Sequence, residues 1–473
     1  MLLAVLKEES VIMHPHRLRS STIRGALALA GALVLGIAAA PAHAQELWGW
    51  GYGQFGQLVT SSNVNSAQPQ TAPIDTGVSF ASVACGGTFV LGLNSSGAVY
   101  AWGDNSFGQL GGSANLGTPT PNPTPAQISG LANIKAIATG GGGEHAFGLA
   151  VGSTGLIFAW GDNYAGQLGS STNNFTDTPN PTPVQITKLT NVVAVTADKG
   201  GTHPFAAEVG TGGYVWMWGD NYYGQLGNTT NVGSAAANAT PARVGGVSGV
   251  TAISAGAGFM LALTSSGAVY AWGDNTCGQL GHTVGSDGDV DESSAWPFAY
   301  YYNANPVQIS GLTNITAISA GAYFGLALDS KGNVWTWGCN FFGQLGSSTD
   351  TGSVTAVPRP VQVAGLPAIA QISAGSYHAL ALDTSGNVWA WGWNGSGQLA
   401  LDTISGEIDP YDTPEQVSGL SGCTQVAAGS IFSMALVGSK SASAGMLGPP
   451  AFRPVGAAAL SWNTPAGKRG ASR

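Results

Sequence analysis

The stretch ISAGSYHALALDTSGNVWAWGWNGSGQL, residues 372–399, decides the fold. It enters through an Ala-Gly turn, alternates small and large apolar residues over 378–382, turns at Asp-Thr-Ser-Gly, and returns through an Asn-Val-Trp-Ala-Trp run at 387–391. Period-two alternation belongs to a strand, and a short Gly-bearing turn between two such runs makes a hairpin. The segment that follows, W-G-x-(N/G)-x-x-G-Q-L, recurs seven times, beginning at Trp50, Trp102, Trp160, Trp218, Trp272, Trp337 and Trp391. Successive tryptophans stand 52, 58, 58, 54, 65 and 54 residues apart. A fixed motif at such a period marks a repeat architecture.

Between a P-x-x-V segment, such as that at 360–363, and the Ala-Gly entry there is room for two further short strands. Each repeat then carries about four antiparallel strands, the content of one propeller blade. The predicted fold is all-β: a seven-bladed β-propeller over residues 45–439. The ends of the repeat region complement each other. Residues 45–50 match only the last strand of a repeat, and residues 426–437 match a repeat that lacks that strand. Pairing the two fragments predicts one blade built from both termini, leaving no open sheet edge.

These motifs resemble the regulator-of-chromosome-condensation (RCC1) repeat family, over about residues 46–437, as in an exported bacterial member. The family's A-G-x-x-H-x-x-A-L segment is matched by His378; the other six copies hold Phe89, Phe147, Phe205, Phe259, Phe324 and Phe432, which implies a drier blade core. The family's founder exchanges guanine nucleotide on a small nuclear GTPase and sits on chromatin, and exported bacterial relatives include a β-lactamase inhibitor. Fold alone transfers neither activity.

Residues 1–44 predict a cleaved export signal: a basic lead with Arg17, Arg19 and Arg24, a 16-residue apolar run at 25–40, and Ala42-His43-Ala44 before the cut. Met13 is an alternative start to Met1. The run is shorter than the roughly 20 residues of a membrane span. The expected location is therefore periplasmic or extracellular, without a membrane span in the mature chain. Residues 440–473, with five basic residues and no strand pattern, predict a disordered tail. Between these ends lie 6 Lys and Arg against 22 Asp and Glu. Nucleic acid, whose phosphates demand clustered cations, is a poor partner for such a body.

No nucleophile elbow, zinc-protease helix, phosphate loop or dinucleotide fingerprint occurs, so no catalytic residue and no cofactor is assigned. Paired carboxylates on different blades leave an enzyme acting on an extracellular polymer such as a glycan as an alternative. Guanine nucleotide exchange is a second, from the family resemblance only. The recurring tryptophans and the motif glycines Gly108, Gly166, Gly224, Gly278, Gly343 and Gly397 are structural. His145 and His203 precede strand starts in successive repeats. Cys85, Cys277, Cys339 and Cys423 have no metal-ligand spacing; export permits disulfides, and their pairing stays open.

Loops on rigid blades are where propellers specialise. The longest, residues 281–306, joins an acidic run (Asp287, Asp289, Asp291, Glu292) to an aromatic cluster (Trp296, Phe298, Tyr300, Tyr301, Tyr302). The acidic spacing resembles the start of a calcium loop, but Phe298 stands where the bidentate Glu belongs. Aromatics of this density anchor protein interfaces. The expected function is that of a monomeric, non-enzymatic scaffold or inhibitor whose protein partner, unidentified from sequence, meets this loop.

Overall fold

A computed structural model describes residues 44–60, 64–66, 68–200, 202–292, 300–353, 355–401 and 410–438. The predicted signal (apart from Ala44), the basic tail, Trp296 and Phe298 lie outside the described residues. Seven antiparallel sheets follow one another, six of four strands and one of five, and no described residue is helical. We number them blades 1 to 7, starting from the sheet whose inner strand is Ser82–Cys85.

Blade 6 shows the plan. Its inner strand Ile369–Ala374 pairs with His378–Asp383, which pairs with Val388–Gly392, which pairs with the outer strand Tyr411–Gln416. The register is that of the hairpin read from sequence, with His378 opposite Gly392. The same pairing sets Phe147 opposite Gly161 and Phe205 opposite Gly219, so the phenylalanines of blades 2 and 3 occupy the histidine position despite longer preceding turns. His378 is buried, its Nε2 lies 3.0 Å from the Ser433 hydroxyl of blade 7, and burial pushes its imidazole down to about 3.

Blade 7 joins the two ends, with one difference from the sequence expectation. Cys423–Ala428 and Phe432–Val437 supply its inner half, and Gln45–Gly51 with Gln70–Phe80 supply its outer half. Two N-terminal strands, not one, close the ring. The reason lies in the Pro-bearing segments: each pairs with the tryptophan strand before it, as Gln416 does with Trp389, and so completes the preceding blade.

The tryptophans lock blade to blade. All seven are fully buried, and each indole Nε1 donates to the backbone carbonyl of the motif glutamine one blade back, at 2.7–3.0 Å. The bond from Trp50 to Gln398 closes the circle. The motif glycine sits against the outer strand of the next blade: at Gly166, φ is +82° and a Cβ would come within 2.8 Å of the Ala239 backbone. A β-carbon is excluded there by conformation and by space.

Near the axis a second set of links runs through hydroxyls. Thr196, Ser254, Ser319 and Ser373 on four successive inner strands each accept from a backbone N–H of the next blade, at Ala255, Ala320, Ala374 and Ala428.

Candidate functional site

Antiparallel order puts the turn between the first two strands of every blade, and the W-G-x-N-x-x-G-Q-L loop, at the same end of the ring. This motif face is built from the seven copies of the repeat. In four of the loops the asparagine amide, of Asn105, Asn163, Asn221 or Asn340, donates to two loop carbonyls, as Asn221 does to Asn228 and Thr230. The preceding aspartate receives the glutamine amide, at 2.7–3.0 Å in Asp104, Asp162, Asp220 and Asp274. Tyr52, Cys339 and Trp393 replace that aspartate in the other three copies, and there the glutamine Nε2 atoms of Gln57, Gln344 and Gln398 are buried without a partner. These carboxylates hold turns, as their repetition predicts.

Near the axis the turns of neighbouring blades are tied together. The turns of blades 3 to 6 are tied by backbone bonds from Lys199 to Gly256, Ala257 to Ala322, and Ala322 to Ser376, and that of blade 7 to blade 1 by Ser430 to Gly86. Blades 2 and 3 carry longer turns. Asp198 of blade 3 accepts from the Gly141 backbone of blade 2, and the Lys199 ammonium reaches across the ring to the Ala374 carbonyl of blade 6. Lys199 is fully buried, and burial pulls its amine down to about 7. Its sequence signal was the lengthened turn between Thr196 and Phe205.

Beside these turns the described parts of the 281–306 loop, residues 281–292 and 300–306, pair as two arms of a hairpin. Val290–Asp291 pairs with the start of Tyr301–Gln308, Val290 opposite Tyr302 and Asp291 opposite Tyr301, and the Glu292 N–H donates to the Tyr300 carbonyl. Alternation places Tyr300, Tyr302, Val290 and Glu292 on one side of the hairpin and Tyr301 and Asp291 on the other. The first side meets blade 3. The Tyr300 ring centroid lies 5.6 Å from that of Tyr222 and 5.3 Å from that of Tyr223, and Tyr302 lies 6.2 Å from Tyr300. His203 stacks on Tyr222 at 4.9 Å. Burial raises the Tyr300 hydroxyl far above its usual value, with a hydrogen bond to Tyr222 and the Glu292 charge adding to it.

Asp289 differs from its sequence assignment as a contact residue. Its carboxylate is buried and receives the Asn275 amide at 2.7 Å, the Gly285 N–H at 2.9 Å, and His282 Nε2 at 2.7 Å. It takes the place of the second loop carbonyl that the motif asparagine holds in other blades, and so anchors the loop from within. Asp287 and Asp291 are exposed. His145 and His203 do not share a site: each faces its own blade's aspartate, Asp162 at 2.8 Å and Asp220 at 3.2 Å. Burial opposes a charge on His145, but the Asp162 bond and charge outweigh it and raise its pKa. Cys277 and Cys339 form a disulfide between the loops of blades 4 and 5, while Cys85 and Cys423 are free and buried.

Charge is divided between the faces. Lys135, Lys188, Arg243 and Lys331 lie at the opposite end from the motif loops, and Arg359 is on the outer strand Val357–Gln362. Among the described residues the motif face holds no exposed Lys or Arg, whereas Glu144, Asp177, Asp287, Asp291 and Asp350 are exposed there.

The model of the RCC1-like domain matches residues 112–447, and models of the regulator of chromosome condensation (RCC1) repeat match 80–109 and 46–93. Ultraviolet-B receptor UVR8 of Arabidopsis thaliana is 31% identical over 379 residues, covering 79% of this chain and 77% of the receptor. Human E3 ubiquitin-protein ligase HERC2 is 30% identical over 85% of this chain, which spans only 8% of the ligase. Among solved structures, Prp20p of Saccharomyces cerevisiae superposes with a TM-score of 0.66 at 21% identity, covering 84% of this chain and 92% of that one. Human WBSCR16 gives 0.66 at 20% identity, covering 84% and 100%.

Proposed function

Because the chain belongs to the RCC1 repeat family, we propose that it is an exported, monomeric, non-enzymatic protein-binding propeller whose partner docks on the motif face where blades 3 and 4 meet. The tyrosine patch carries this reading. Tyr222 and Tyr223 from one blade and Tyr300 and Tyr302 from the next are all partly exposed, and a rigid ring holds them in mutual contact. Tyrosines bring large contact area with few rotatable bonds, and such clusters dominate binding energy at interfaces.

The non-enzymatic reading is supported by the motif carboxylates Asp104, Asp162, Asp220 and Asp274, which are occupied by their own turns. Two features support export: the signal pattern at 25–44 and the Cys277–Cys339 disulfide, a bond that persists in oxidising compartments. The test is affinity capture from periplasm and culture medium with the purified chain and with a Tyr222→Ala, Tyr300→Ala variant. A protein retained by the first and lost by the second is the expected result. Equal retention by both would overturn the assignment of the surface, and finding the chain only in the cytoplasm would overturn export.

A further inference from the structure

We infer that Tyr222 and Tyr300 form a modification site, at which a peroxide-driven one-electron oxidant couples the two rings into a dityrosine that fastens blade 3 to blade 4. Such a site exists whether or not the patch also docks a partner.

Coupling two phenols requires their ortho carbons, the ring positions beside the hydroxyl, to meet. Tyr222 and Tyr300 come from different blades, and their ring centres lie 5.6 Å apart with the planes inclined by 38°. Their side chains are hydrogen-bonded to each other. The rings therefore approach through their hydroxyl-bearing edges, and each ortho carbon is one bond away from that contact. Neighbouring pairs are placed differently. Tyr223 meets Tyr300 and Tyr222 edge to face, at 87° and 78°. Tyr323 and Tyr377, across blades 5 and 6, are stacked at 6.2 Å, and Tyr377 is buried.

The site is open to oxidants while the chain's sulfur is not. Tyr222 and Tyr300 are partly exposed. Among the described residues Met217, Met260, Met434 and the free thiols of Cys85 and Cys423 are buried, and Cys277 and Cys339 are already joined. Sulfur oxidation follows exposure, so these groups do not take the oxidising equivalents first. Each phenol gives up one electron and one proton to become a phenoxyl radical, whose unpaired spin reaches the ortho carbons. A carbon–carbon bond forms between the two ortho carbons, and the hydrogen displaced from each passes to its own ring oxygen, restoring both phenols. The two electrons and two protons released reduce one hydrogen peroxide to two waters, by way of a haem peroxidase. Because the ring holds the two side chains in contact, the coupling is an effectively unimolecular step.

The test treats the dilute, purified chain with hydrogen peroxide and a haem peroxidase, then reduces and alkylates the cysteines and digests with trypsin. Cleavage after Lys199, Arg243 and Lys331 leaves Tyr222 in residues 200–243 and Tyr300 in residues 244–331. A monomeric chain with dityrosine fluorescence is expected, with these two peptides joined, two hydrogens lighter than their sum, and fragment masses placing the bond at Tyr222 and Tyr300. Tyr222→Phe and Tyr300→Phe should each remove the joined pair. Tyr301→Phe, on the other side of the hairpin, and Tyr377→Phe should keep it. A chain unfolded in urea before oxidation should show no preference for this pair. Amide exchange in residues 300–306 should slow in the oxidised chain. The site is overturned by a chain that yields no joined peptides, by joined peptides that survive both substitutions, or by bonds found only between separate chains. Unchanged exchange after the bond has formed would overturn the fastening of the two blades.

Discussion

Replacing Glu208 by alanine is expected to stabilise the propeller, and to do so only above about pH 5. Glu208 lies on the second strand of blade 3, 2% exposed, with its Oε2 atom buried and unpartnered. The position is small elsewhere: Gly92, Ala150, Ala262, Ala327, Ala381 and Ala435 occupy the same register in the other six blades. Burial pushes the Glu208 carboxyl up to about 8 from 4.5. A carboxylate whose folded pKa lies above its unfolded pKa binds its proton more tightly in the native state, so stability falls as pH rises between the two values. At 1.36 kcal/mol per pH unit, the loss is absent below pH 4.5, about 3 kcal/mol at pH 7, and complete above pH 8. Removing one methylene and the carboxyl from a buried site returns about 1 kcal/mol of packing loss. The variant should therefore gain about 2 kcal/mol at pH 7. Urea unfolding at pH 4.5, 6, 7 and 8.5 would measure it. A difference between variant and parent that is the same at all four pH values, or a net loss at pH 8.5, would refute the reasoning.

Lys199 should show the opposite slope. Its folded pKa, about 7, lies below the unfolded value of 10.5, so the destabilisation is full below pH 7 and fades as pH rises toward 10.5. Lys199→Met is accordingly expected to gain more stability at pH 6 than at pH 10 in the same urea assay. Asp289→Ala should leave the Asn275, Gly285 and His282 groups without their acceptor, at about 2–3 kcal/mol, and should speed amide exchange in residues 281–292 without lowering the global melting temperature equally. Reducing the Cys277–Cys339 disulfide, or replacing both cysteines by alanine, is expected to cost about 2–4 kcal/mol of stability in thermal melts with and without reductant.

The ring was legible in sequence because one loop motif was copied seven times, and each copy makes the same bond between its glutamine carbonyl and the tryptophan of the next blade. Trp391 and Gln398 can be recognised as structural before their partners are known, since the chemistry that keeps them repeats with them. Contacts that break the repeat were harder to see. Tyr300 stands out in a long insertion, yet Tyr222 and Tyr223 fill ordinary variable places in the motif, and only the curvature of the ring brings blade 3 under the blade 4 hairpin. Asp289 looked like one of four equivalent acids; that it alone turns inward follows from the slot offered by Asn275. The partition of the closing blade was read as three strands and one because pairing of the Pro-bearing segments is decided by hydrogen bonds across the blade, which periodicity does not report.

The half-and-half construction of blade 7 also sets a schedule. Gln45–Gly51 and Gln70–Phe80 leave the ribosome before any of the other blades, but the strand they require, Phe432–Val437, is the last to be made. Until then Trp50 has no Gln398 carbonyl to meet, and an apolar hairpin edge waits in the open. A chain that emerged end first into its final compartment would have to keep that edge away from neighbours for the whole interval. Chaperone demand should therefore fall on this first hairpin, and a circular permutant opened between two other blades would move it elsewhere.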